Sequence, residues 1–198
     1  ILQSSTIVLL LVIAFAGAGN ITLSNSLGII LGANFGTTIT GWLVSLIGFN
    51  TDIQTIIFPI IGIGSLGLIF VSRRFLFYHL FSLITATGFL LIGLDFMKQS
   101  MAYLATVVDI QQLREFGMWA YFLFGFVVTA IIHSSSAMMT VTLSALFSHL
   151  IPIETAIYII IGADIGTTMT ALVGSLKGSA VKKRVGLAHF FFNVGTAI

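Results

Sequence analysis

The chain has 198 residues, of which 58% are hydrophobic and 7% charged, with a formal net charge of +2. A soluble domain carries about 25% charged residues, so a surface built from this composition is not one for water, and the chain belongs in a bilayer. It contains no cysteine, which excludes disulfides and thiolate metal sites, and no basic cluster with interleaved aromatics points to nucleic acid.

A membrane-crossing helix needs about 20 mostly apolar residues. In chain order, residues 5–18 form an apolar arm of about 14 residues, a length that suits a half-membrane arm. Residues 23–48, 55–71 and 79–97 then read as three spans. The stretch 98–117 is the most polar and is expected as an extramembrane linker. Residues 118–132 and 137–149 are again half-length arms, with His133-Ser134-Ser135-Ser136 between them. Half-length arms around a polar tip suit a re-entrant hairpin. Residues 153–176 form a fourth span, and 186–198 begin another. The first basic residue is Arg73, so the apolar stretch at the start is not expected to be a secretory signal. The chain opens on a polar motif and closes inside an apolar run, so both ends look cut from a longer protein.

Two stretches occur twice. Gln3-Ser4-Ser5-Thr6 returns as His133-Ser134-Ser135-Ser136. Gly32-Ala33-Asn34-Phe35-Gly36-Thr37-Thr38-Ile39-Thr40 returns as Gly162-Ala163-Asp164-Ile165-Gly166-Thr167-Thr168-Met169-Thr170. Both offsets are 130 residues. A polar signature repeated without a gap indicates two half-sites made by duplication. The expected organisation is a first repeat over 1–71, a connecting span and external loop over 72–117, and a second repeat over 118–198. Three crossings separate the two tips, an odd number, so the repeats are expected to be inverted.

The basic residues give an independent reading of orientation. Arg73, Arg74, Lys177, Lys182, Lys183 and Arg184 fall on one side, and Lys98 and Arg114 on the other. The positive-inside rule makes the first side cytoplasmic.

Ser and Thr are good helix N-caps. A helix starting at each tip would aim free N–H groups and a partial positive charge at the midplane. Two such ends facing each other form an anion site, with hydroxyl donors added. The glycines around Asn34 and Asp164 suggest unwound joints within broken helices, since Gly costs about 1 kcal/mol in a helix interior. Freed carbonyls there, with Asn34, Asp164 and the Thr hydroxyls, would bind a hard cation. Each feature also has a plainer reading. Gly28, Gly32 and Gly36 form a Gly-x-x-x-Gly packing series. Membrane Ser and Thr often bond back to their own helix. Asp164 could cap or pair within the bundle, and His189 reads as a packed polar residue.

Together these motifs resemble the sodium-dependent phosphate cotransporter family (type II, bacterial branch), and the resemblance covers the whole chain. It implies an all-α polytopic membrane protein with inverted repeats, two re-entrant hairpins and broken transmembrane helices. It implies Na+-coupled uptake of inorganic phosphate by alternating access, with Na+ as coupling ion and no organic cofactor. Carried over by position, Gln3, Ser4, Ser5, Thr6, His133, Ser134, Ser135 and Ser136 resemble substrate-site residues. Asn34, Thr37, Thr38, Asp164, Thr167 and Thr168 resemble the cation-linked ones. Two positions depart from the pattern. Thr6 replaces Ser and keeps the hydroxyl, whereas His133 replaces Gln and brings a ring that can be protonated. The expected partners are phosphate, sodium ions and the lipid of the cell membrane, with no nucleic acid; a homo-oligomeric state stays open. The competing functions are the same fold carrying sulfate or a carboxylate, a channel, and an intramembrane serine hydrolase. The hydrolase would need a base facing one serine, and duplication of the serine cluster argues against it.

Overall fold

A computed structural model of the chain describes residues 4–48, 54–73, 76–107 and 117–197. Among the described residues there is no strand. The helices are α1 (Ser5–Gly17), α2 (Leu23–Leu43) with a π-helical continuation Val44–Gly48, α3 (Gln54–Phe70), α4 (Leu76–Val107), α5 (Met118–Ile132), α6 (Ser135–Phe147), α7 (Ile153–Ser175) and α8 (Ala180–Thr196). Leu23–Leu46, Leu76–Leu104 and Ile153–Ser175 are long and apolar enough to cross a membrane. The arms α1, α5 and α6 have 13, 15 and 13 residues. At about 1.5 Å per residue none of them reaches across a hydrocarbon core of about 30 Å.

The duplicated sequence folds into duplicated local structure. Ser4 and Ser134 are both N-caps with extended backbone, and their hydroxyls accept from the amides of Ile7 and Ala137. Each caps a helix of 13 residues. After each helix the chain turns through a left-handed residue, Gly19 (φ 79°) and His149 (φ 58°). The amide of Asn20 donates to the Phe15 carbonyl at 2.9 Å, and that of Leu150 to the Ala145 carbonyl at 2.9 Å. Glycine takes a left-handed position at no steric cost; histidine is among the few other residues enriched there.

Among the described residues, three packing clusters hold the helices. Leu9, Val12, Ile13 and Ala16 of α1 pack with Ile30 of α2, Ala171 of α7 and Val185 of α8. Val44, Ile57, Leu91 and Leu94 form a second cluster, which Leu143 of α6 joins. Met138, Ile159 and Ala163 form a third. The side chain of Lys182 lies against Gly17, where it would collide with any added Cβ. Lys98 Nζ sits 5.8 Å from the Phe147 ring centre. The C-terminal end of α1 thus meets the start of α8, and the C-terminal end of α6 meets α4.

The contact of α5 with α7 depends on glycine. A Cβ added at Gly125 would run into the Ile159 carbonyl, and one at Gly166 into the Phe126 carbonyl. A Cβ at Gly162 would lie 2.9 Å from the Phe122 carbonyl carbon and 3.0 Å from the Phe126 nitrogen. Contacts advance together along both helices, Phe122 with Gly162 and Phe126 with Gly166, so the two run parallel at backbone-to-backbone distance.

Three expectations are corrected. The unwound joints are absent: α2 and α7 are continuous through Asn34 and Asp164. In α7 the glycine cost is offset by the close approach of α5, and threonine back-bonds occupy nearby carbonyls in both helices. Residues 98–107, expected in the linker, extend α4; Gln99 Nε2 donates to Asp95 Oδ2 at 2.7 Å across one helical turn. Helix α8 begins at Ala180, before the expected apolar start, and takes in Lys182, Lys183 and Arg184. Gln3, Arg74 and residues 108–116 lie outside the described residues.

Candidate functional site

The two tips touch. Thr6, in the first turn of α1, donates its hydroxyl to the His133 carbonyl at 3.0 Å across 127 positions of sequence. His133 ends α5 in a left-handed conformation (φ 56°), its amide donating to the Thr129 carbonyl at 2.8 Å. That one residue reverses the chain, and Ser134 then starts α6. The N-terminal ends of α1 and α6 are therefore brought into one region, each with unsatisfied amides and a partial positive charge.

The His133 Nδ1 lies 2.7 Å from Thr170 Oγ1. His189 is buried, and neither ring nitrogen finds a hydrogen-bond partner among the described residues. Neither ring forms the Ser–His pair that a hydrolase would use.

Beside the tips lies a cavity of about 510 Å³. Asn34, Thr37 and Thr38 of α2 line it, with Asp164 of α7 and Ser135 of α6. Its apolar walls include Leu31, Phe35, Met139, Ile160, Ile161 and Phe192. Water occupies about 30 Å³ per molecule in the liquid, so the space admits a small oxyanion together with several ions and waters.

The sequence-derived residues thus divide. Asn34, Thr37, Thr38, Asp164 and Ser135 share the cavity. Thr6 and His133 join the tips, and Ser4 and Ser134 cap helices. Ser5 and Ser136 are partly buried near the tips without lining the cavity. Thr167 and Thr168 are buried in α7 and do not line it either. Gln3 lies outside the described residues.

The threonine hydroxyls repeat their geometry as well. Thr37 donates to the Ala33 carbonyl at 3.1 Å, and Thr167 to that of Ala163 at 3.1 Å. Thr38 donates to the Phe35 carbonyl at 2.7 Å, and Thr168 to that of Ile165 at 2.6 Å. These bonds use the hydroxyl protons and leave oxygen lone pairs as acceptors. Thr37 and Thr38 can therefore still offer oxygen to a cation. The Ala33 and Ala163 carbonyls, expected to be free, are engaged. Side-chain oxygens, one of them a carboxylate, make up the remaining donor set, which suits a hard cation such as Na+.

Two residues that sequence reasoning did not assign belong to this region. Thr196 of α8 lines the cavity. Asn193, one turn before it in α8, is buried and bridges the two motifs. Its Nδ2 donates to the Asp164 carbonyl at 2.9 Å, and its Oδ1 accepts from Asn34 Nδ2. A polar residue at the centre of an apolar run was the available signal.

Fold and site together define a helical membrane protein with a cavity that residues from both copies of one motif line. The chain belongs to the Na+/Pi-cotransporter family, whose model matches residues 1–99 and 111–196. It is 31% identical over 197 residues to the uncharacterized protein YqeW of Bacillus subtilis (strain 168). The match covers 98% of this chain and 62% of that protein, so the chain spans less than two thirds of its relative. No solved structure matches.

Proposed function

We propose that this chain is the core of a secondary transporter that takes up inorganic phosphate with Na+ by alternating access. The observation that carries the proposal is the convergence of both motif copies, Asn34, Thr37 and Thr38 from one and Asp164 from the other, on a single cavity with Ser135. Family membership favours Na+ and phosphate over sulfate or a carboxylate. On this reading the tip hydroxyls and the N-terminal amides of α1 and α6 receive the anion. The oxygens of Asn34, Thr37, Thr38 and Asp164 receive the cations, and the carboxylate offsets part of their charge.

The contacts support the inverted arrangement. The C-terminal end of α1 packs with α8 beside Lys182. The C-terminal end of α6 packs with α4 beside Lys98. The two arms start at one shared region and end in different clusters, as oppositely directed hairpin arms would. The segments bearing Arg73–Arg74 and Lys177–Arg184 are then cytoplasmic, and the protein is multi-pass in the cell membrane. Radiolabelled phosphate uptake by cells expressing the full-length protein tests this. Uptake should require Na+ over K+ or choline and resist excess sulfate. Competition by sulfate would move the substrate to another oxyanion, and indifference to Na+ would remove the coupling.

A further inference from the structure

Asn193 connects the two copies of the cavity motif, yet it belongs to neither. The 130-residue offset that relates the motifs places Ile63 opposite it in the first repeat. Among the described residues the bridging side chain therefore comes from the second repeat. Its geometry is constrained on both sides. Asn193 is 1% exposed, so its amide cannot exchange its partners for bulk water. Its nitrogen is held by the Asp164 carbonyl, and its oxygen holds the Asn34 nitrogen. An amide has a donor end and an acceptor end. With its nitrogen engaged by Asn193, Asn34 has its oxygen left for the cavity. The same bridge fixes the separation of α2 from α7 at the level where Asn34 and Asp164 line that cavity.

We infer that Asn193 is the positioning residue of the cation site: it orients the Asn34 amide oxygen toward the cavity and holds it at a set distance from Asp164. The proposal rests on the reading of Asn34 and Asp164 as Na+ ligands. It accounts for a strongly polar, buried side chain within the apolar run Phe190-Phe191-Phe192-Asn193-Val194. Loss of the bridge lets the Asn34 amide rotate and α2 shift against α7. The consequence is weaker Na+ binding. The anion end, at the tips, is affected only through the cation.

The test uses the full-length protein in detergent and measures the rise of its thermal midpoint with NaCl, against choline chloride at matched ionic strength. Wild type, Asn193→Leu, Asn193→Asp, Asn34→Ala and the Asn34→Ala/Asn193→Leu double variant are compared. Asn193→Leu keeps the volume but removes both bonds. The expected result is a half-saturating Na+ concentration raised about tenfold, the scale of one lost buried hydrogen bond. Asn193→Asp keeps the shape and the acceptor for Asn34 but sets a second acceptor against the Asp164 carbonyl, so its half-saturating Na+ concentration should rise, by less than in Asn193→Leu. It remains informative should Asn193→Leu fail to fold. The double variant should be no worse than the weaker single, because both changes act on one group. A structural role alone would lower the midpoint in choline while leaving half-saturation unchanged, and that result overturns the proposal. So do additive single effects, an unchanged half-saturation in Asn193→Asp, or a wild-type midpoint that ignores Na+. Phosphate uptake by wild-type proteoliposomes is measured in parallel. No uptake, with the Na+ coupling of Asn193 and Asn34 intact, refutes the phosphate reading and leaves the role of Asn193 standing.

Discussion

Replacing Gly162 with alanine should destabilise the protein even though alanine is the better helix former. An added Cβ would sit 2.9 Å from the Phe122 carbonyl carbon and 3.0 Å from the Phe126 nitrogen, where ordinary contact begins at 3.4 Å. The Phe122 carbonyl oxygen lies closer still, and all three obstacles are backbone, so none can swing aside and α5 must move as a body. Overpacking of this kind costs about 1–3 kcal/mol, against a helix-propensity gain of about 1 kcal/mol. Gly93 of α4 is the control, since its Cβ would meet nothing within 4 Å, and Gly93→Ala should keep the propensity gain. Gly32 holds the same motif place as Gly162 with open space at its Cβ. In the 198-residue chain it should behave like Gly93. The assay is thermal unfolding in detergent. A difference of about 2 kcal/mol between Gly162→Ala and Gly93→Ala corresponds to about 4–8 °C in midpoint. Equal midpoints would refute the backbone-to-backbone packing of α5 on α7.

Ser135→Ala should weaken phosphate binding about tenfold or more while sparing the fold, because a hydrogen bond to a charged group is worth about 1.5–3 kcal/mol; concentration dependence of uptake checks it. Asp164→Asn should weaken Na+ activation or lower the charge moved per phosphate, each charge being worth about 2.3 kcal/mol per 100 mV. Voltage-clamped uptake reads this directly, and unchanged Na+ dependence would make Asp164 structural. Single cysteines at positions 73 and 182 should label from the cytoplasmic side and one at position 103 from outside. The native chain has no cysteine to confuse the result.

Much of the local structure was legible because it depends on residue type at short range. A hydroxyl before an apolar run predicts a cap, and Ser4 and Ser134 are caps. Repetition at 130 residues predicted equal helix starts, and α1 with α6, and α2 with α7, start at that spacing. Meeting of the tips followed from treating the two motifs as half-sites, although Thr6 and not a serine makes the bond. What was not legible depends on long-range packing. Glycines at Gly162 and Gly166 serve a helix neighbour about 40 residues away, which a helix-breaking argument cannot anticipate. Thr167 and Thr168 match Thr37 and Thr38 in type, yet α7 is surrounded where α2 is open, so the copies differ in access to the cavity. Asn193 has no counterpart in the repeat, and the rule that found the other residues passed over it.

The central claim is that one cavity couples Na+ to phosphate. The most direct measurement is phosphate accumulation by the purified full-length protein in proteoliposomes, with an inward Na+ gradient, with equal Na+ on both sides, and with choline. The account predicts accumulation above the external concentration only with the inward gradient, collapsing when a Na+ ionophore is added. Accumulation independent of the gradient, or phosphate that merely equilibrates with Na+ present, would contradict it.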